Sequence, residues 1–183
     1  MISDYWRDQN RKLHESHAGF GIRGARHSHI VEQLCYRLGT LDVLDYGCGK
    51  AKLAASLPFQ IQSYDPAIVE FSAQPSPAHI VVCTDVMEHV ESGMVVRTLA
   101  EINRLSLVIC YFAIATKPDW SKLMPDGSNP HRTVESGDYW RDSIAAIWGD
   151  ANVMRINGKN ESFFLCRKNP TIDLSATQWR IPS

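Results

Sequence analysis

Residues 43–51 read VLDYGCGKA, and this stretch is the clearest indication of the fold class. An apolar run with a single acid leads directly into two glycines, and a helix-forming segment follows. A buried strand that runs through glycines into a helix is typical of α/β proteins, in which the turn lets a ligand approach the backbone closely. We therefore predict a strand over Leu41–Tyr46 and a helix over Lys50–Leu57 that ends at Pro58.

Strands and helices alternate along the rest of the chain. The predicted strands are Phe59–Tyr64, His79–Cys83, Leu107–Ala115, Val153–Ile156 and Glu161–Lys168, and the predicted helices are 29–38, Gly93–Arg104 and Tyr139–Trp148. Such alternation predicts a three-layer α/β/α fold with a mostly parallel sheet, and the last two strands form an antiparallel C-terminal hairpin. In sheets of this kind, ligands bind at the carboxyl ends of the strands.

Length and composition indicate a soluble globular chain. The 183 residues are 44% hydrophobic and 21% charged, which suits a single domain over residues 1–183. Within it we distinguish an N-terminal segment (1–40), a core (41–168) and a tail (169–183). Apolar runs are too short to span a membrane, and the first residues lack the apolar region of a signal peptide.

The charged and cysteine residues restrict the partners and the compartment. Nineteen Lys and Arg against twenty Asp and Glu give a formal charge of −1, so charge does not imply nucleic-acid binding, although it does not exclude it. Five scattered cysteines show no CxxC pair and no zinc-ligand spacing. We expect a reduced, cytoplasmic protein without a bound metal. The sequence does not indicate an oligomeric state.

Acidic residues recur at the predicted strand ends. Asp45 precedes the first glycine by two positions, which suits a cationic ligand better than a pyrophosphate. Asp65 ends the next strand, where a carboxylate can accept hydrogen bonds from a ribose diol. Asp85 follows the third strand within residues 83–90, which read CTDVMEHV.

Together, VLDYGCGKAKLA (43–54), SYDPAI (63–68) and CTDVMEHV (83–90) resemble the class I S-adenosylmethionine-dependent methyltransferases. The resemblance implies a Rossmann-like fold and S-adenosylmethionine as cofactor, with the glycines beneath its methionine part, Asp45 near its ammonium group and Asp65 on its ribose hydroxyls. The cofactor-binding residues that it implies are Asp45, Tyr46, Gly47, Cys48, Gly49, Asp65, Pro66, Thr84 and Asp85.

The chain departs from the family pattern between strands two and four. Asp85 follows Asp65 by only twenty positions, whereas the family usually places a helix and another strand there. We therefore predict a sheet trimmed at this point, and how adenine would be held is left open.

Residues outside the cofactor motifs are candidates for catalysis. Methyl transfer to an oxygen or nitrogen nucleophile requires alignment and often a base. We predict His131, in the long loop after the fourth strand, together with Asp85 and Glu88 near the reacting centre; His14 and His17 are further candidates. The N-terminal segment is predicted to cover the cofactor as a lid, and the acceptor is predicted to be a small or medium molecule, including nucleotide-like ones.

Three other functions are compatible with the sequence. The shortened segment is consistent with a non-catalytic S-adenosylmethionine-binding partner subunit. A nucleotide- or nucleic-acid-modifying methyltransferase also remains open, although residues 85–88 lack the Pro-Pro-aromatic pattern of exocyclic-amine enzymes. A nicotinamide-dependent enzyme is disfavoured because Lys52 occupies the third glycine position of the dinucleotide pattern.

Overall fold

The computed structural model describes residues 2–173. The helices are α1 (Asp4–Ser16), α2 (Ser28–Leu38), α3 (Lys52–Ser56), α4 (Val95–Leu105) and α5 (Gly137–Trp148). The strands are β1 (Val43–Tyr46), β2 (Gln62–Tyr64), β3 (Ala78–Thr84), β4 (Ser106–Ala115), β5 (Val153–Asn157) and β6 (Glu161–Arg167). Of the tail predicted over residues 169–183, the part from residue 174 onward lies outside the described residues.

The six strands form one sheet in the order β2-β1-β3-β4-β6-β5. The four strands from β2 to β4 are parallel, and the pairs β4–β6 and β5–β6 are antiparallel. This arrangement confirms the predicted parallel sheet with an antiparallel C-terminal hairpin. The carboxyl ends of β1, β2 and β3 lie side by side, which brings the residues that follow these strands to one edge of the sheet.

Helices cover both faces of the sheet. On one face α4 and α5 pack through Leu99, Ile102, Trp140 and Ile144 on a strand layer that includes Leu44, Val81 and Phe112. On the other face α2 and α3 pack through Ile30, Leu34 and Leu53 on Val43, Val82 and Tyr111. Strand residues are therefore buried on both sides, which explains the nearly continuous apolar runs of β3 and β4.

The sheet is trimmed where the sequence predicts it. β2 is an edge strand of three residues, and only a single 3₁₀ turn at Val69–Phe71 interrupts the loop between β2 and β3. Within this loop the N–H of Asp65 donates to the carbonyl of Phe71 at 3.0 Å, which folds the loop back onto the end of β2.

The first helix is the largest difference from the sequence prediction, which places no element boundaries within residues 1–27. α1 buries only Trp6, Gln9, Asn10 and Leu13, so its hydrophobic face is narrow. Ser3 caps the helix by accepting a hydrogen bond from the N–H of Trp6. Capping and two buried apolar side chains thus stabilise a helix that apolar periodicity does not reveal.

Two predicted elements around the glycine turn are shorter than expected. The helix predicted over Lys50–Leu57 is shorter in the structure, where α3 spans Lys52–Ser56. It begins later because Ala51 still belongs to the turn and has a left-handed φ of 51°. The strand predicted over Phe59–Tyr64 pairs with β1 only from Gln62 onward.

All five cysteines are free and buried. Among residues 2–173, no helix combines the length and the apolar character that crossing a membrane requires.

Candidate functional site

The turn after β1 requires its two glycines. Gly47 and Gly49 have φ values of 80° and 52°, in the left-handed region that favours glycine. A Cβ on Gly47 would lie 2.3 Å from Cγ2 of Val86, and a Cβ on Gly49 would lie 2.7 Å from the carbonyl oxygen of Gly21. The backbone of the turn is therefore packed closely against two other segments.

Asp65 joins the end of β2 to this turn. Its Oδ2 accepts a hydrogen bond from the N–H of Gly49 at 3.0 Å, and its Oδ1 accepts one from the N–H of Ala67 at 2.9 Å. The carbonyl of Tyr64, one residue earlier, accepts from the N–H of Gly47 at 2.7 Å. Each carboxylate oxygen has two lone pairs, so Asp65 retains acceptor capacity after these bonds.

Asp45 lies in β1 with only 3% of its surface exposed. Burial, followed by the nearby charge of Asp65, raises the pKa of Asp45 to about 7. A buried carboxylate without a cation beside it is unfavourable, so this position would gain from a positively charged ligand group.

A cavity with an empty volume of about 1120 Å³, its open mouth included, lies at the carboxyl ends of β1, β2 and β3. The predicted cofactor residues on its wall are Asp45, Tyr46, Gly47, Cys48, Gly49, Asp65, Pro66, Thr84 and Asp85. The structure thus brings all nine together. His131, from the loop after β4, lines the same cavity.

The N-terminal segment also lines the cavity. His14 on α1 packs edge-on against Phe20 with ring centroids 4.6 Å apart, and Phe20 packs against His89 at 5.6 Å. Gly21 has a φ of 69°, and a Cβ there would lie 2.4 Å from Cε1 of His14. The segment predicted as a lid therefore borders the cavity, and its cluster of glycines allows close packing.

Several cavity residues were not predicted from the sequence as cofactor or catalytic residues. They are Asn10, Phe20, Arg23, His89, Asp119 and Lys122. The glycines at 19, 21 and 24 are the sequence signal that could have identified the part around Phe20, because clustered glycines often mark close backbone approach.

Asp85 has a left-handed φ of 55° and donates its N–H to the carbonyl of Ala113 at 2.9 Å. Its Oδ1 lies 3.4 Å from Nη2 of Arg26 and 3.9 Å from Nη1 of Arg23. Burial opposes the charge of Asp85, but His27 and the two guanidinium groups together hold its pKa below the ordinary value. Asp85 is thus an anion at neutral pH and a poor proton acceptor.

Arg26 connects Asp85 to a buried polar cluster. Its guanidinium forms a two-point ion pair with Glu161, and its Nε donates to Nε2 of His27 at 3.0 Å. The other ring nitrogen of His27 lies 3.1 Å from the hydroxyl of Tyr111. Burial lowers the pKa of His27, so this histidine is a neutral member of the cluster.

Glu88 is fully buried and lies outside the lining of the cavity. Its Oε1 accepts from the N–H of Ala115 at 3.1 Å, and its backbone carbonyl accepts from Arg132 and Thr133 at 2.7 and 3.0 Å. Burial, with the charge of Asp85 second, raises the pKa of Glu88 to about 8. In this structure Glu88 joins the segment after β3 to the loop after β4, and its role near a reacting centre stays a prediction.

His131 and His89 lie side by side with ring centroids 4.9 Å apart. Nδ1 of His131 lies 2.6 Å from the carbonyl of Lys117, and Nδ1 of His89 lies 2.9 Å from the carbonyl of Pro130. Burial, and then the charge of His131, lowers the pKa of His89 to about 4. His89 is therefore neutral at physiological pH.

Of the two further catalytic candidates from the sequence, His14 and His17, only one lines the cavity. His14 lines the cavity, and burial lowers its pKa. His17 follows α1 and is absent from the cavity lining.

Comparison with solved structures identifies the fold. The chain is similar to 1,6-didemethyltoxoflavin-N1-methyltransferase from Burkholderia thailandensis, solved with 1,6-didemethyltoxoflavin and S-adenosylhomocysteine (TM-score 0.61, 12% identity, 89% of this chain and 87% of that chain). It is also similar to magnesium protoporphyrin IX methyltransferase from Synechocystis PCC 6803 with bound S-adenosylhomocysteine (0.53, 16%, 88% and 94%). A third similar structure is the complex of DhpI with S-adenosylhomocysteine (0.55, 15%, 91% and 94%).

Comparison with protein-family models and with curated proteins gives no match. At the low identities of the structural matches, the likeness establishes the fold alone. The chain has the α/β fold of the class I methyltransferases, and the resemblance drawn from the sequence is confirmed at that level.

Proposed function

We propose that this chain binds S-adenosylmethionine in the cavity at the carboxyl ends of β1 to β3 and catalyses methyl transfer to an acceptor. The acceptor offers an oxygen or nitrogen nucleophile and is a small or medium molecule, which includes nucleotide-like ones. The main support for the proposal is that one cavity is lined by the glycine turn, Asp45 and Asp65. These residues are up to twenty positions apart in the sequence.

The residues present fit the cofactor. A Cβ at either glycine of the turn would meet Val86 or Gly21 at less than 3 Å, so both positions require glycine, and the turn that they form lines the cavity. Asp45 offers a buried negative charge for the cofactor's ammonium group. Asp65, held by the N–H groups of Gly49 and Ala67, offers oriented oxygens for the ribose hydroxyls.

The cavity also extends beyond Asp65. Pro66 and Ala67 line it on that side, and the short loop that includes Val69–Phe71 follows them directly. Because the sheet is trimmed here, we propose that adenine lies against this loop in place of the missing strand and helix.

When bound, S-adenosylmethionine supplies a methyl group already activated by its sulfonium. The protein then needs to orient the acceptor, exclude water and, for a hydroxyl acceptor, accept a proton. The neighbouring Phe20 and His14 of the N-terminal segment restrict access from solvent. His131, whose Nδ1 faces a carbonyl, keeps Nε2 as a proton acceptor and is our candidate for the base.

The proposal is tested by calorimetric titration of the protein with S-adenosylmethionine and with S-adenosylhomocysteine. We expect micromolar binding of both. Asp65→Ala should weaken binding by about 1.5–3 kcal/mol, the range for hydrogen bonds to a charged group, while Asp65→Asn, which keeps one acceptor oxygen, should weaken it less.

The matched control is Asp42→Ala. Asp42 precedes β1 at the opposite end of the sheet and pairs there with His79, so its loss should leave cofactor affinity unchanged. If folded wild-type protein binds neither compound, or if Asp65→Ala binds as well as Asp42→Ala, the proposed cofactor site is wrong.

A further inference from the structure

A histidine pair and a carboxylate converge beside the proposed cofactor cavity. A carboxylate oxygen of Glu88 and one ring nitrogen each of His89 and His131 all lie within 4.8 Å of one another. Glu88 and His89 belong to the 3₁₀ turn after β3, whereas His131 comes from the loop after β4. The fold therefore joins two segments that are more than forty positions apart in the sequence.

Hydrogen bonding fixes the tautomer of both histidines. A carbonyl oxygen can only accept, so Nδ1 of His89 must donate to Pro130 and Nδ1 of His131 must donate to Lys117. In each neutral ring Nε2 is then left with its lone pair. Ligand histidines in metalloproteins are characteristically held in this way, with the outer nitrogen donating to a backbone carbonyl.

Glu88 supplies an independent observation. It is 0% exposed, and its Oε1 accepts from the N–H of Ala115, but its Oε2 is buried without a hydrogen-bond partner. A buried carboxylate oxygen without a partner costs free energy, which a bound cation would offset. A purely structural role for Glu88 accounts for the hydrogen bond at Oε1 but gives no reason for burying Oε2 without a partner.

We propose that Glu88, His89 and His131 form a binding site for a divalent transition-metal ion of the Mn²⁺ to Zn²⁺ series. Two imidazoles and one carboxylate suit these ions, whereas Mg²⁺ and Ca²⁺ prefer sets made of oxygen ligands. Three protein ligands leave at least one coordination position open, as in catalytic rather than structural metal sites.

The geometry requires only a small adjustment. Ligand atoms bound tetrahedrally at about 2.1 Å from a metal lie about 3.4 Å apart. The separations in this cluster are no more than 4.8 Å, so the widest has to shrink by at most about 1.4 Å. His131 lies in an irregular loop, where such a shift is accommodated more easily than on a strand.

The open coordination position would face the cavity, since His89 and His131 both line it. A metal there would occupy Nε2 of His131 and so replace this nitrogen's proposed role as a base: the ion would bind an acceptor oxygen and lower its pKa, and the proton would leave to water. This role rests on the proposed function, but metal binding itself does not.

Equilibrium dialysis of metal-free protein against Zn²⁺, Mn²⁺ and Mg²⁺ tests the site, without cofactor or acceptor present. We expect one Zn²⁺ or Mn²⁺ ion per chain and no stoichiometric Mg²⁺. His131→Asn should lower the affinity by more than about tenfold, the scale on which even outer-sphere partners of a metal act. Glu88→Gln should also lower it, and its carbonyl can still accept from Ala115.

His29→Asn is the matched control. His29 lies 3.9 Å from Glu32 on the exposed face of α2, so it tests non-specific binding by a surface histidine beside an acid. The proposal is overturned if wild type binds no ion stoichiometrically, or if His131→Asn binds the ion as tightly as His29→Asn does.

X-ray absorption of the zinc-loaded wild type gives a readout that needs no variant to fold. Two imidazole nitrogens at about 2.0–2.1 Å are expected, and fewer than two overturn the proposal. Titration with S-adenosylhomocysteine separates the two proposals: metal binding without cofactor binding refutes only the proposed function, and the reverse refutes only the metal site.

Discussion

The backbone N–H of Lys50 donates a 2.8 Å hydrogen bond to the carbonyl oxygen of Gly21. This bond joins the glycine turn of the sheet to the N-terminal segment. The Lys50 side chain extends the same connection, because Nζ donates to the carbonyls of His17 and Ala18 at 2.8 and 3.1 Å. The turn therefore holds the segment predicted as a lid and also lines the cavity.

Gly49→Ala should displace this lid. The added Cβ would lie 2.7 Å from the carbonyl oxygen of Gly21, a backbone atom that cannot move alone, and the left-handed φ adds strain of about 1–2 kcal/mol. We expect S-adenosylhomocysteine affinity to fall at least about tenfold, which is about 1.4 kcal/mol. Calorimetry measures the affinity, and thermal unfolding measures the stability.

Gly39→Ala is the control for the backbone strain. Gly39 ends α2 with a φ of 63°, and a Cβ there would meet nothing within 4 Å. Both variants should lose similar stability from the left-handed φ, but Gly39→Ala should retain full affinity. Equal affinity of the two variants would contradict the close approach of the lid to the turn.

Asp45→Asn should stabilise the ligand-free protein at pH 8. Burial raises the folded-state pKa of Asp45 from 3.8 to about 7. Between these pH values the folded state binds more protons than the unfolded state, so the free energy of unfolding falls as the pH rises from about 4 to about 7. Above pH 7 the charge of Asp45 lowers the free energy of unfolding by on the order of 4 kcal/mol relative to pH values below 4.

Urea unfolding of wild type and Asp45→Asn at pH 4, 6 and 8 measures this effect. The advantage of the variant should grow across that range, because asparagine does not titrate. An advantage that stays constant from pH 4 to pH 8 would show that Asp45 does not carry the buried charge inferred here. In the same variant, cofactor affinity should fall, since the ammonium group loses its carboxylate partner.

Arg26→Ala should destabilise the fold by about 3–5 kcal/mol. The Arg26 guanidinium forms ion pairs with both Glu161 and Asp85, whose side chains are 17% and 19% exposed. The variant therefore leaves two largely buried carboxylates without this cationic partner. Arg141→Ala is the matched control, because Arg141 pairs with the largely exposed Asp142 and Asp150. That variant should lose less than about 1 kcal/mol. Similar losses in both, measured by urea unfolding, would contradict a structural role for the buried cluster.

Trp6→Phe should loosen α1. The Trp6 side chain is 2% exposed, its Nε1 donates to the carbonyl of His89 at 2.8 Å, and the Arg132 guanidinium lies 4.6 Å from its ring. Loss of the donor should cost about 1–3 kcal/mol and increase hydrogen exchange in α1. Trp120, which is 74% exposed, provides the control Trp120→Phe, and unchanged exchange of α1 in both variants would refute the anchoring role.

Much of the lining of the proposed cofactor cavity could be predicted from the sequence, because its determinants are local. An apolar strand, a glycine pair and an acid at the next strand end each occupy a few consecutive residues. In a mostly parallel sheet the ligand site lies at the carboxyl ends of the strands, so Asp45, Gly49 and Asp65 are expected near one another. The trimming of the sheet after β2 was likewise predicted from the short distance along the chain between Asp65 and Asp85.

The helix of the N-terminal segment and the contact between His89 and His131 could not be predicted in this way. α1 depends on contacts such as that of Trp6 with His89, more than eighty positions away. The neighbourhood of His89 and His131 depends on the path of an irregular loop, which carries no period in the sequence. The tautomers depend on two backbone carbonyls of that loop, and residue types do not reveal these.

The trimmed edge of the sheet has a consequence for self-association. Open sheet edges invite pairing with other chains, and proteins commonly protect them with short strands and polar side chains. β2 pairs over only three residues, and Gln62 at its start accepts a hydrogen bond from the N–H of Ser76 in the returning loop at 3.3 Å. The sheet therefore ends here in a short, polar and partly covered edge, which offers little template for aggregation.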